Sequence, residues 1–180
     1  MKIDVHFIKL TFLFTILPLI FSYEITIGQE LPSPEKYFGH KMGEDRKLAR
    51  WDKLVQYYQL LGENSDKMMV VNMGKTTLGN PFLALYISSV ENLSRLEEYQ
   101  KINAMLSDPR GVSMENIEAG IKNGKAVVVQ SFGLHSSEVA ASQTAAEVVY
   151  DMLTRVDEEM NQILDNTISI IIPCFNRMVK

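Results

Sequence analysis

Between Arg46 and Leu61 apolar residues recur at three- and four-residue intervals (Leu48, Trp51, Leu54, Val55, Tyr58, Leu61). That is the spacing of one helix face, and Gly62 follows as its predicted stop. Ahead of it, Leu31-Pro-Ser-Pro34 reads as an extended lead-in, because each proline fixes its own φ and biases its predecessor away from helix. The period then changes. Met68-Met-Val-Val-Asn-Met73 and Phe82-Leu-Ala-Leu-Tyr-Ile-Ser88 read as strands, and Gly74, Gly79 and Pro81 between them predict a hairpin. Ser88 stands three residues before Glu91, a capping-box spacing that predicts a helix carrying Leu93, Leu96, Tyr99, Ile102 and Leu106, halted at Asp108-Pro-Arg-Gly111.

A short helix is predicted from Ser113 to Lys122, ended by Asn123-Gly124. Ala126-Val-Val-Val-Gln-Ser-Phe132 is an almost unbroken apolar run rich in β-branched residues, the pattern of a strand buried on both faces. Helical spacing returns from Glu138 to Leu153 (Val139, Ser142, Ala145, Ala146, Val149, Met152, Leu153), with the small Ser142 as its one polar member. Asp157-Glu-Glu159, read as a solvated face, leads on to Leu164, and Thr167-Ile-Ser-Ile-Ile-Ile-Pro173 is a second buried strand. Strands alternating with helices of this length imply a right-handed βαβ crossover and a layered α/β sheet with helices on both sides. No internal repeat, low-complexity tract or interdomain linker interrupts the pattern.

The first residues break the globular pattern. Lys2 and Lys9 precede the apolar run Leu10–Phe21, which then gives way to small and polar residues, as in a signal peptide. The run falls short of the ~20 residues needed to span a bilayer, and Pro18 interrupts it. Thr26 and Gly28 at the −3 and −1 positions predict cleavage after Gly28, so residues 1–28 read as a signal peptide and residues 29–180 as the folded portion. Export, to the periplasm or the extracellular space, is the expectation; an uncleaved amphipathic anchor is the alternative, with no stable membrane span once the signal is removed. The 180 residues carry 18 Lys+Arg against 22 Asp+Glu, a net charge of −4, with 46% apolar residues. This excludes a disordered chain and gives no basic footprint for nucleic acid. One cysteine, Cys174, leaves no disulfide scaffold and no thiolate zinc site, and its place at the end of a buried strand reads as core filling.

Ligands collect at the carboxyl ends of strands in an open α/β sheet. There the chain reads Phe132-Gly-Leu-His-Ser-Ser-Glu138 before the next helix starts, so His135 and Glu138 converge across a tight bend. An imidazole and a carboxylate suit zinc, and two His with one Glu, leaving a position for water, form a catalytic zinc set. The bland reading stands beside it: a Glu in the first helical turn is favoured by the helix dipole, and a strand-end His can simply hydrogen-bond a loop. Ser136 and Ser137 lack a nucleophile elbow and read as helix caps. Asn92-Leu-Ser94 matches a glycosylation sequon but falls at a predicted helix start.

Ser131-Phe-Gly-Leu-His-Ser-Ser-Glu-Val-Ala-Ala-Ser-Gln143, following an apolar strand, resembles the first zinc-binding motif of the zinc metallocarboxypeptidases, the carboxypeptidase A-like peptidases. Gly74-Lys-Thr-Thr-Leu-Gly-Asn80 is similar to the family's Gly-x-Ser/Thr-x-x-Gly hairpin, with Asn80 where a basic residue is usual. Pro34-Glu-Lys-Tyr-Phe-Gly-His40, Lys47-Leu-Ala-Arg-Trp-Asp52 and Ser89-Val-Glu-Asn-Leu-Ser-Arg-Leu96 are similar to the lead-in of exported members. The resemblance extends over residues 33–176. It implies a three-layer α/β/α fold with a mixed central sheet, present as its N-terminal half. It also implies Zn2+ held by His135 and Glu138, and removal of C-terminal residues from a peptide or protein substrate by zinc-activated water.

The third ligand, a His, and the general base are expected downstream of Lys180. His6 and His40 are not natural substitutes. Pro173-Cys-Phe-Asn176 keeps the Asn of the family's Asn-Pro-Asp-Gly, a substrate-binding candidate at Asn176, but then runs into Arg177-Met-Val-Lys180. No role is carried to Arg177. The chain alone is therefore expected to be incomplete and inactive. The alternatives are a zinc-dependent N-acyl amino acid deacylase of the same fold, and a non-catalytic exported fragment or binding module.

Overall fold

The computed structural model describes residues 30–135 and 137–175. The predicted signal peptide, Ser136, Asn176 and Arg177 lie outside the described residues. Pro34–Phe38 forms a short helix, α1, because the Ser33 hydroxyl accepts from the Lys36 N–H at 3.2 Å and Pro34, lacking an N–H, fits a first helical position. The extended lead-in therefore ends at Ser33. Helix α2 spans Trp51–Glu63. It cannot begin at Arg46, whose φ of 59° is left-handed. Nor does Gly62 stop it: a Cβ built there would lie 2.7 Å from Val70 Cγ2, so this glycine lets the helix lie close against the first strand.

That strand, β1 (Met68–Lys75), pairs antiparallel with β2 (Pro81–Ile87), from Met68 opposite Ile87 to Asn72 opposite Leu83, with an irregularity between Asn72 and Lys75. The hairpin turn is the predicted one. Thr76 N–H donates to Asn80 O and Gly79 N–H to Thr76 O, both at 2.8 Å, and Gly79 has a φ of +77°. The helix after β2 is capped by Ser89, not Ser88, and breaks at Arg95 into α3 (Val90–Ser94) and α4 (Leu96–Ser107). Helix α5 (Met114–Asn123) follows behind its Ser113 cap.

The chain continues through β3 (Ala126–Ser131), α6 (Val139–Thr154), α7 (Glu158–Asn166) and β4 (Thr167–Ile172). Asp157, Glu158 and Glu159 are exposed, as expected of a solvated face; Asp157 also caps α7 by accepting from the Met160 N–H at 2.8 Å, and Arg155 bonds Glu159 at 2.8 Å. The displaced Ser88 is fully buried, and its hydroxyl donates to Thr167 O at 2.6 Å. Asn92 Nδ2 lies 3.0 Å from each of Ser88 Oγ, Leu164 O and Asp165 O, while its Oδ1 accepts from the Tyr99 hydroxyl at 3.2 Å. This buried network ties α3 and α4 to the start of β4. A side chain so enclosed is not a glycosylation acceptor in the folded protein.

The strand order is β1-β2-β4-β3, with β4 antiparallel to β2 and parallel to β3, so the sheet is mixed. One face carries Leu83, Leu85, Ile87 and Ile171 into a core with Leu54, Tyr58 and Leu61 of α2, Ala146 and Val149 of α6, and Leu164 of α7. Each fully buried aliphatic side chain contributes roughly 1.5–3 kcal/mol to such a core. On the other face Leu96 and Tyr99 of α4 lie over Tyr86, Ile168 and Ile170. The result is the expected three-layer α/β/α arrangement. One expectation is not met among the described residues: β3 is not buried on both faces there, pairing with β4 alone and leaving Val127, Val128 and Val129 exposed by 44%, 41% and 64%, while β4 lies between β2 and β3. An apolar β-branched run states what a strand can pack against, not how many neighbours the sheet order gives it.

Candidate metal centre

The loop leaving β3 is anchored before it turns. Phe132 N–H donates to Ile172 O at 2.9 Å and Phe175 N–H to Phe132 O at 2.8 Å, holding the exits of β3 and β4 in step. Gly133 then reverses the chain at a φ of +61°. It is buried so tightly that a Cβ would meet Ser142 Oγ at 2.9 Å and Cys174 Sγ at 3.4 Å. The small polar Ser142 within an apolar helix face is explained by this contact. Cys174 is free and buried, a core residue as expected.

His135 follows on the exposed side of the turn, and Glu138 N–H donates to His135 O at 3.1 Å to close it. Glu138 occupies the position just before α6 rather than its first turn, and its side chain makes no helix-capping bond. It folds back instead. One carboxylate oxygen, Oε2, accepts from the His135 N–H at 3.2 Å, and Oε1 lies 2.6 Å from His135 Nδ1. The side chains are 69% and 49% exposed, so the pair sits on an open surface at the carboxyl end of a parallel strand. The hydrogen bond from the His135 ring, reinforced by that from its backbone N–H, holds the Glu138 carboxyl below the usual carboxylate range.

The pair has the right donor chemistry for zinc. Tetrahedral zinc at ~2.0–2.2 Å from nitrogen and oxygen places two ligands roughly 3.3 Å apart. The 2.6 Å contact would have to open by roughly 0.7 Å, and a proton between the two groups would have to leave. The number of donors falls short: among the described residues no group of three or more His, Cys, Asp or Glu side chains could hold a metal. His40 is engaged elsewhere, its Nδ1 lying 3.0 Å from Lys41 O. The geometry thus brings together the two residues that the sequence pairs and adds Gly133, whose place two residues before a surface His is the turn signal in the sequence.

A family model described as zinc carboxypeptidase matches residues 54–177, more than half of the chain. Among solved structures, the carboxypeptidase A from Helicoverpa armigera is similar at 18% identity with a TM-score of 0.52, over 79% of this chain and 30% of that one. Thrombin activatable fibrinolysis inhibitor (TAFI) matches at 12% identity and a TM-score of 0.48, over 78% of this chain and 25% of that one. Bovine thrombin-activatable fibrinolysis inhibitor, in complex with tick carboxypeptidase inhibitor, matches at 11% identity and a TM-score of 0.42, over 73% and 32%. The chain therefore spans about a third or less of the length of these structures. No curated protein sequence matches it. Among the described residues no helix is long and apolar enough to cross a membrane.

Proposed function

Because this chain belongs to the zinc carboxypeptidase family, we propose that His135 and Glu138 are two zinc ligands of a metallocarboxypeptidase that removes C-terminal residues from peptides. The observation that carries this reading is the convergence of the two side chains at the exit of a parallel strand, 2.6 Å apart, within the matched region. Zinc in such a site supplies a Lewis acid and lowers the pKa of a bound water.

The chain's own part is positional. The β3–β4 ladder and the two backbone bonds at Phe132 fix where the loop begins. Gly133 turns it, and the His135 N–H orients the Glu138 carboxylate so that Oε1 faces the imidazole. Glu138 is assigned as a ligand and not as the general base. The general base, a third ligand and a basic pocket for the terminal carboxylate of the peptide are assigned to chain beyond these residues. In that picture residues 29–180 alone hold zinc weakly and do not turn over substrate. Export through residues 1–28 and a substrate-holding role for Asn176 belong to the same proposal.

The test is made on a polypeptide that spans the whole catalytic domain. Glu138→Ala is expected to lose most of its zinc, measured by atomic emission, and its hydrolysis of a blocked dipeptide. Retention of both would remove Glu138 from the site. Hydrolysis of N-acyl amino acids in place of peptides would keep the ligands and change the substrate.

A further inference from the structure

We propose that Gln143 is a positioning residue for the candidate metal pair, fixing the start of α6, and with it Glu138, against the segment that leads into α2. The bearing of this on zinc rests on the assignment of Glu138 as a ligand; the placement of Glu138 beside His135 does not.

Gln143 is out of keeping with its helix. It stands in the second turn of α6 and is only 4% exposed, and the other buried residues of that helix are Ala145, Ala146, Val149, Met152 and Leu153. A buried amide without a partner is costly, and even a bonded one gains little over an apolar side chain of the same shape. What it adds is a fixed point. Oε1 accepts from the Ala49 N–H at 3.4 Å, a long hydrogen bond between residues 94 apart in sequence. Ala49 is itself buried and lies outside helix and sheet, so its N–H has no ladder to join. Each buried polar group is satisfied by the other.

The start of α6 has little else to hold it. Glu138, at the position where a helix is commonly capped, turns its carboxylate back to His135 and makes no capping bond. Gln143 follows five residues on, about 7.5 Å along the axis at ~1.5 Å per residue, so the intervening turn carries a shift at one to the other. The far end of the tether is firm. Trp51 opens α2 two residues after Ala49, is buried, and its Nε1 donates to Pro81 O of β2 at 3.2 Å. The hold thus runs from the hairpin through Trp51 and Ala49 to Gln143, and back along α6 to Glu138. Gln143 and Ala49 are buried by the described residues themselves, so the contact depends on no surface being open.

The test uses two polypeptides. In the 180-residue chain without metal, Gln143→Met keeps the side-chain shape and removes the acceptor. NMR should show the His135 amide, which donates to Glu138 Oε2, exchanging with water about fivefold faster, while the amides of the β2–β4 ladder keep the parent's rates. A side chain serving stability alone would speed every globally protected amide together. That outcome, or an unchanged His135 rate, overturns the proposal. Faster exchange confined to Ala49 and Arg50 does the same, since Gln143 would then anchor the lead-in only. Gln143→Asn, whose amide is one methylene too short to reach Ala49, should repeat the result and replaces Gln143→Met if that variant does not fold. In the polypeptide that spans the whole catalytic domain, Gln143→Met should weaken zinc about tenfold in competition with a chelator. Parent-like zinc affinity would overturn its part in the metal site. A Glu138→Ala variant that keeps its zinc would instead strike the ligand assignment and leave the exchange result standing, so the two failures are distinguishable.

Discussion

Replacing Gly133 by alanine tests the idea that a left-handed, close-packed turn presents His135. Two separable effects oppose the substitution. A non-glycine residue held at a φ of +61° costs about 1–2 kcal/mol, because Cβ crowds the following carbonyl. The new Cβ would also lie 2.9 Å from Ser142 Oγ, a distance that requires movement, and overpacking of this kind costs about 1–3 kcal/mol. Cys174 Sγ, at 3.4 Å, is only an ordinary contact. Together these predict a loss of about 2–5 kcal/mol, a large share of the ~5–15 kcal/mol typical of a domain and readable by urea denaturation. Adding Ser142→Ala removes the close contact but not the backbone strain. The double variant should recover only the steric part and stay about 1–2 kcal/mol below the parent. A Gly133→Ala variant within about 0.5 kcal/mol of the parent, a change typical of surface positions, would refute the argument. Full recovery in the double variant would show that packing alone, and not the left-handed turn, selects glycine.

Two further outcomes follow from the same geometry. Asn92→Ala should lower stability by about 2–3 kcal/mol, chiefly by orphaning the buried Tyr99 hydroxyl, since Leu164 O keeps the Ser89 N–H and Asp165 O keeps Lys125 Nζ. Asn92→Asp should be worse at neutral pH, because its carboxylate faces three oxygens; its folded pKa is raised, so the penalty is full above it and fades as pH falls toward ~3.9, which denaturation at two pH values would show. The Glu138 carboxyl behaves with the opposite sign. Its pKa is lowered in the fold, so its bonds to His135 are present above ~4.3 and are lost as pH falls through the depressed value. NMR of the metal-free chain should show the His135 amide shifting with a midpoint below ~4.3; a midpoint at or above it would contradict the contact, and Glu138→Gln should abolish the transition.

Much of this was legible along the chain because it depends on local pattern. Apolar spacing located α2 and α6, the hairpin glycines placed the turn between β1 and β2, and the bend between β3 and α6 brought His135 to Glu138 with three residues of separation. The sequence was less informative where one residue type serves two purposes. Gly62 looked like a helix stop but is a helix residue kept small by Val70, a partner on another element. Ser88 and Ser89 are equally good caps in isolation. Ser89 takes the cap, and Ser88, displaced from it, bonds carbonyls of a segment about eighty residues later in the chain.

By itself, then, the sequence determined the elements, the mixed α/β character and the facing imidazole and carboxylate, since each follows from periods of two, three or four residues and from chain geometry at a bend. Only the tertiary structure decided the strand order, and with it which apolar strand is interior. Val127-Val-Val129 and Ile170-Ile-Ile172 are indistinguishable as local patterns, yet among the described residues β4 lies between two neighbours and β3 has one. Burial is a property of what lies beside a strand, and pairing partners far apart in sequence set it.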